Sequence, residues 1–397
     1  MNSICVLFHR FGPYHWARLN AAGETMRLLA VETSGETGDY AWDKVDGKKS
    51  FERVTLFPDA DSRSRPAQEV AARVRETLGR HQPAAVAIPG WSDKSALAAL
   101  AWCLESGTPA IVMSESQSRD EARRWTREAV KRRVVSLCST GLAGGRPHVD
   151  YLAALGMPRD RIFTGYDVVD NEYFAAASEA ARLQAPARRE QLGLPEKYFL
   201  ASSRFLAKKN LRRLLEAYAG YRKLAPANAW KLVLLGDGPL REELMQQREA
   251  LGLGTEVLLP GFQQYQELPA YYGLAGAFVH ASTTEQWGLV VNEAMACGLP
   301  VLVSDHCGCV PDLVVKGRNG FTFDPLHVPS LTERLVQIAG GQHDLEAMGR
   351  ASREIIARWS PRTFANNLRD ATESALERPR PARGFFNRML LQALIQA

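Results

Sequence analysis

The sequence predicts an α/β protein made of two doubly wound parallel sheets, and three observations carry that prediction. The chain has 397 residues, 46% of them hydrophobic; that is too long for one ordinary core and suits two domains of about 150–200 residues. Short continuous apolar runs, the mark of strands buried on both faces, alternate with helical patterns. The alternation occurs twice, on either side of a stretch rich in Ala, Arg, Glu and Gln around Pro186.

In the first half the predicted strands are Ile4–Phe8, 27–32, 54–57, 84–88, 110–113 and 134–138. Helical patterns over 67–79 and 95–104 lie between them, and an apolar turn over 161–167 closes the half. The segment 175–191 reads as a helical linker. The second half has predicted strands at 198–201, Lys231–Leu235, 257–259, Ala277–His280, Val301–Ser304 and 320–323. A helix is expected over 211–218, and another over 360–376 after the second sheet. Each half is thus a Rossmann-like domain.

Composition excludes several classes. The formal net charge is +5, which fits an anionic substrate or surface. No zinc-finger spacing or RNA-binding aromatic signature accompanies it, so nucleic acid is not an expected partner. The six cysteines are Cys5, Cys103, Cys138, Cys297, Cys307 and Cys309. Cys5, Cys138 and Cys297 lie in apolar runs, as reduced core thiols do. Cys307-Gly308-Cys309 has the wrong spacing for a redox or zinc pair. The start runs directly into a strand, without a secretory signal, and no run of eighteen apolar residues follows. A cytoplasmic protein is expected, with contact to the inner face of a membrane as an option.

The most informative stretch is 285–301. Glu285 and Glu293 flank Gly288, an Ala-rich helical run closes at Gly298, and Pro300 opens the strand Val301–Ser304. The predicted strand Ala277–His280 places residues 282–287 at a strand end, where open α/β sheets bind ligands. Gly288 lets the backbone approach a bound group. The amides of Leu289 and Val290 open the helix and favour an anion. Glu285 can accept hydrogen bonds from hydroxyls beside that anion, and Glu293, a turn further on, from a second set. An anion between two hydroxyl-rich parts describes a nucleotide-sugar. As bare surface charges on a helix the two glutamates would mean little.

Glu-x7-Glu followed by Ala-Met-Ala-Cys-Gly-x-Pro-Val resembles the signature of the retaining GT-B glycosyltransferases of family 4, also called glycosyl transferases group 1. The resemblance implies the GT-B plan, two Rossmann-like doubly wound domains facing across a cleft. It implies an acceptor domain at 1–180, a nucleotide-sugar donor domain at 181–360, and a C-terminal helix within 361–397 crossing back to the first domain. Glu285 would contact the donor sugar and Glu293 the ribose. Arg204 and Lys209 are two cations at a strand end that can neutralise a diphosphate, and their spacing is similar to the family's Arg-x4-Lys pair; Lys208 is the alternative to Lys209. The loop around Gly236 is similar to one near the nucleotide. Phe262 falls in a segment that meets the base, with core packing as its other reading. The donor would be a UDP- or GDP-sugar and the acceptor a glycan or lipid-linked hydroxyl. No metal or other cofactor is required, because cations and helix amides can stabilise the leaving diphosphate.

The first domain departs from the family pattern. Gly12 stands where a glycine-rich loop is usual, but the paired glycines are absent; His15 and Arg18 follow it as cleft or helix-surface residues. Where many members carry a histidine after the fifth strand, this chain has Ser114 and Glu115. Glu115 can orient or deprotonate an acceptor hydroxyl, or serve structurally. Asp59-Ala60-Asp61 matches a metal motif of the other glycosyltransferase fold and is discounted in a GT-B-like chain. Residues 119–133 hold seven basic and three acidic residues, a candidate cationic helix face for anionic lipid or simply a solvated one. The tail from 377 on carries Arg378, Arg380, Arg383 and Arg388, with Phe385, Phe386, Met389, Leu390 and Leu394 at helical spacing, and poses the same question. Two rival functions are a GT-B-like nucleotide-sugar epimerase and a non-catalytic nucleotide-sugar binding protein.

Overall fold

The computed structural model describes residues 3–38, 42–225, 229–378 and 384–396; Arg380 and Arg383 lie outside the described residues. The chain forms two compact units, Met1–Val168 with Ser360–Ala397, and Val169–Trp359.

The first unit holds a seven-stranded parallel sheet: β1 (Ile4–Phe8), β2 (Leu28–Ser34), β3 (Glu52–Phe57), β4 (Ala85–Pro89), β5 (Ala110–Ser114), β6 (Thr140–Ala143) and β7 (Ile162–Phe163). Their spatial order is β3-β2-β1-β4-β5-β6-β7. β1, β4 and β5 are almost entirely apolar, and they and β2 are buried, as a sheet covered on both faces requires. The helix Pro361–Glu377 packs on the helix Pro13–Gly23 and on β6. Thr140 Oγ1 donates to the Ala371 carbonyl at 3.0 Å, and Asn367 Nδ2 to the Thr164 carbonyl at 2.8 Å.

The second unit holds a six-stranded parallel sheet: β8 (Tyr198–Ser202), β9 (Lys231–Leu235), β10 (Val257–Gly261), β11 (Ala277–His280), β12 (Val301–Ser304) and β13 (Gly320–Phe323). Their order is β10-β9-β8-β11-β12-β13. From β8 the chain winds outward to one side, and from β11 to the other. The β8/β11 boundary is therefore a topological switch point, where side chains beyond the strand ends meet around an open crevice.

Two expectations are corrected. Residues 134–138 are not a strand: Val134 and Val135 end the helix Trp125–Val135, and their apolar character is that helix's inward face. The strand there is β6, whose Thr140 and Gly141 interrupt a continuous apolar run. A side chain on Gly141 would sit 3.0 Å from Met157 Sδ and 3.1 Å from a Leu152 methyl, so packing keeps the strand small. Residues 175–191 are not a linker: the helix Asn171–Leu183 packs against the helices Leu268–Gly273 and Leu289–Ala296 of the second unit. The division accordingly falls at Val168/Val169, ahead of residue 180. All six cysteines are buried free thiols.

Candidate active site

The loops leaving β8 and β11 meet across the switch point. Residues Ala207–Lys209 form a short 3-10 turn, closed by Asn210 in the left-handed region at φ 58°. The Asn210 amide donates to the Ala281 carbonyl at 3.0 Å and the Pro325 carbonyl at 2.8 Å. Thr283 N–H donates to the Lys208 carbonyl at 2.8 Å. These bonds tie the two loops together and aim Lys209 at Glu285.

Glu285 is the centre of the cluster. Its Oε2 forms an ion pair with Lys209 Nζ, lies 3.1 Å from His280 Nε2, and accepts from Ser282 Oγ at 3.1 Å. Its carbonyl accepts from Gly308 N–H at 3.0 Å, so backbone and side chain are both fixed. Burial pushes the Glu285 carboxyl up, but the His280 hydrogen bond and the Lys209 charge outweigh it and hold it well below the usual carboxylate range. Burial lowers His280 more than Glu285 raises it, which favours a neutral imidazole, with Nε2 the ring nitrogen beside the carboxylate. The side chains of Lys209 and Glu285 keep 15% and 12% exposure, which leaves the cluster reachable by a ligand. Of the two adjacent lysines, Lys209 is the inward one; Lys208 contributes its carbonyl and is exposed.

Just beyond, Gly288 caps the helix Leu289–Ala296 with φ 107° and ψ 66°. A side chain would be strained there. Leu289 and Val290 open the first turn, at the positive end of the helix dipole, while the Val291 amide donates to the Gly288 carbonyl at 2.8 Å. Trp287 is buried beneath, its indole N–H donating to Asn292 Oδ1 at 2.9 Å. Cation, carboxylate and helix tip thus share one strand end.

The remaining donor-side residues divide. Arg204 is exposed in the loop after β8. Gly236 has φ 128°, and a Cβ there would lie 1.8 Å from the Ser203 carbonyl oxygen; it lets the β9 loop press against the Arg204 loop. Phe262 follows β10 and is 37% exposed, so it is not core packing. Glu293 differs from expectation. It is fully buried, and Tyr272 OH donates to its Oε2 at 2.6 Å, because its helix turns that face onto the helix Leu268–Gly273.

In the first unit, Gly12 has an extended backbone at φ −114°, so it is not a strained glycine turn. Its amide donates to His15 Nδ1 at 3.1 Å. His15 is a helix-capping residue against Phe8, with ring centroids 4.4 Å apart, rather than a surface residue. Burial and the nearby Arg18 hold it well below the ordinary imidazole value of 6.5. Ser114 is buried and its Oγ accepts from Ser116 N–H at 3.2 Å. Glu115, half-buried at the end of β5, faces Asp167; burial first, and the Glu115 charge second, push the Asp167 carboxyl well up. Asp61 caps a 3-10 turn, and chiefly its hydrogen bond from Arg63 brings it down to about 2; this is a structural role.

Sequence reasoning missed His280, Ser282, Asn210 and Tyr272. His280 and Ser282 carried a usable signal, since polar residues at the end of a buried strand mark a sheet's ligand edge. The others depend on contacts between distant segments.

Residues 185–355 match the glycosyl transferases group 1 family. The match covers less than half of the chain and lies within the second unit. The chain is 33% identical over 148 residues to sulfoquinovosyl transferase SQD2 of Arabidopsis thaliana, covering 36% of this chain and 28% of that protein. It is 30% identical over 210 residues to the GDP-mannose-dependent alpha-(1-6)-phosphatidylinositol monomannoside mannosyltransferase of Mycolicibacterium smegmatis, covering 50% and 53%. These matches span about half or less of the curated relatives' own length. Among solved structures, Anabaena HepE in complex with UDP aligns with a TM-score of 0.71 and 19% identity, over 94% of this chain and 100% of that one. The two successive Rossmann-like units are of the GT-B fold.

Proposed function

We propose that the protein is a glycosyltransferase that moves a sugar from a nucleotide-diphospho-sugar to an acceptor hydroxyl with retention of anomeric configuration. The observation that carries this reading is the Lys209–Glu285–His280 cluster beside the tip of the helix Leu289–Ala296, at the switch point of a group 1 domain. The diphosphate sits at the helix amides, with Lys209 and Arg204 balancing the charge that develops as it leaves. Glu285, ionised and held by His280 and Ser282, accepts hydrogen bonds from the sugar. Ribose hydroxyls reach Glu293 by displacing the hydroxyl of Tyr272. Cations and amides do the electrostatic work, so the reaction runs without a metal. HepE was solved with UDP and the mycobacterial relative is named for GDP-mannose, so the donor is a UDP- or GDP-sugar.

The acceptor belongs to the first unit, at Glu115, and is presented at a membrane surface. The mycobacterial relative is named for a phosphatidylinositol mannoside, and the helix Trp125–Val135 suits such a surface. The cations on it and just before it sort into two sets. Arg123, Arg127 and Lys131 are tied to Glu121 or Glu128. Arg132 and Arg133 are exposed, and Trp125 is 82% exposed; with Ala129 they share one helical face, an arrangement that favours anionic head groups. The protein is then peripheral on the cytoplasmic side.

Purified protein incubated with UDP- and GDP-sugars and a lipid extract tests the reading. Transfer that keeps the donor's anomeric configuration, read by NMR of the product, is expected. Sugar interconversion without an acceptor, or nucleotide-sugar binding without turnover, would contradict it.

A further inference from the structure

The C-terminal helix Phe385–Gln396 has two apolar faces. Asn387, Leu391 and Ile395, spaced four apart, are buried and dock the helix onto the helices Ala67–His81 and Lys94–Ser106. The opposite side carries Phe385 at 72%, Phe386 at 83% and Met389 at 51% exposure. One apolar stripe suffices to fix a surface helix to its domain; the second is left to something outside the unit.

Charge and size identify the occupant. From residue 378 to the end the chain carries four arginines, Arg378, Arg380, Arg383 and Arg388, and no Asp or Glu; with Arg378 paired to Asp160 at 3.0 Å, the segment still keeps a net positive charge. Two adjacent phenylalanines beside charges of one sign match the boundary of an anionic bilayer, where rings enter the acyl region and guanidinium groups stay at the phosphates. A second copy of the chain fits poorly. Three side chains supply roughly 450–600 Å², short of the ~800 Å² per partner of a stable interface.

We infer that Phe385, Phe386 and Met389 form a wedge by which the C-terminal helix inserts into the surface of an anionic lipid bilayer. This rests on the membrane-surface reading above and adds a second anchor to it. A single weak anchor gives only marginal, reversible binding, whereas two together hold. The wedge supplies apolar insertion, and the Trp125–Val135 helix supplies charge.

Co-sedimentation of the full chain with phosphatidylcholine vesicles, with and without phosphatidylglycerol, tests it. The double variant Phe385→Ser/Phe386→Ser is compared with Met389→Ser and with Arg132→Ser/Arg133→Ser, and nucleotide-induced shifts in melting temperature are measured on each without vesicles. The wild type is expected to bind only the anionic vesicles. The double serine variant should bind at least about tenfold more weakly, and Met389→Ser less severely so, with unchanged melting and nucleotide response. Three results would overturn the wedge: no wild-type binding, equal binding by the double variant, or a dimer that the double variant dissociates. Loss confined to Arg132→Ser/Arg133→Ser would overturn it while leaving the membrane reading intact. Loss of the nucleotide response in the wild type would strike the proposed function instead.

Discussion

Each unit buries a glutamate near the carboxyl edge of its sheet beside a cation, and the two sites behave differently. In the first unit Glu32, at 1% exposure, accepts from Arg53 Nε at 2.7 Å, from Thr55 Oγ1 at 2.6 Å and from Phe11 N–H at 3.0 Å. Arg53 is covered in turn by Phe11 and Trp16. That carboxylate is sealed and holds the loop after β1 in place. In the second unit Glu285 gathers Lys209, His280 and Ser282, yet its carboxylate keeps 12% exposure at the switch point. A sealed carboxylate stabilises a fold, whereas an accessible one can exchange partners with a ligand.

The contrast can be broken by mutation. The largest expected effect is Glu32→Ala, which leaves Arg53 and the Phe11 amide without their carboxylate and destabilises by about 3 kcal/mol; urea unfolding would show it as a lower midpoint. An unchanged midpoint would remove the structural role. Next is Lys209→Ala, which lowers turnover by more than about tenfold with little change in stability; near wild-type turnover in a transfer assay would refute its charge-stabilising role. Smaller is the response to acid. His15 and His280 both have lowered folded values. Stability is therefore complete above 6.5 and is lost as pH falls below it, because the unfolded chain takes up protons that the native imidazoles refuse. Melting temperatures that do not fall in that window would contradict the buried neutral imidazoles. Smallest is Asp61→Ala, which should leave turnover unchanged, since Asp61 caps a turn; a collapse of activity would reopen the metal reading of that motif.

The parallel strands were legible because burial on both faces makes them continuous apolar runs: Lys231–Leu235, Ala277–His280 and Val301–Ser304 carry that signal at full strength. β6 was not legible. Its Thr140 is bonded to a helix more than two hundred residues away, and Gly141 is small for the sake of Met157 and Leu152, so tertiary contacts override local pattern. Lys209 and Glu285 were legible from motif spacing. Their meeting, and the part of His280 in it, follows from β8 lying beside β11, which no short window of sequence contains. Glu293 was read as an open hydroxyl contact because its position on the helix was clear, while the Tyr272 hydroxyl beside it was not.

The most direct test titrates UDP, GDP and ADP calorimetrically into the wild type and into Lys209→Ala. Saturable binding of UDP or GDP by the wild type, weakened at least about tenfold by the substitution, is the expected result. Binding of none of the three, or equal binding by both proteins, would contradict a donor diphosphate held at Lys209 and the tip of the helix Leu289–Ala296.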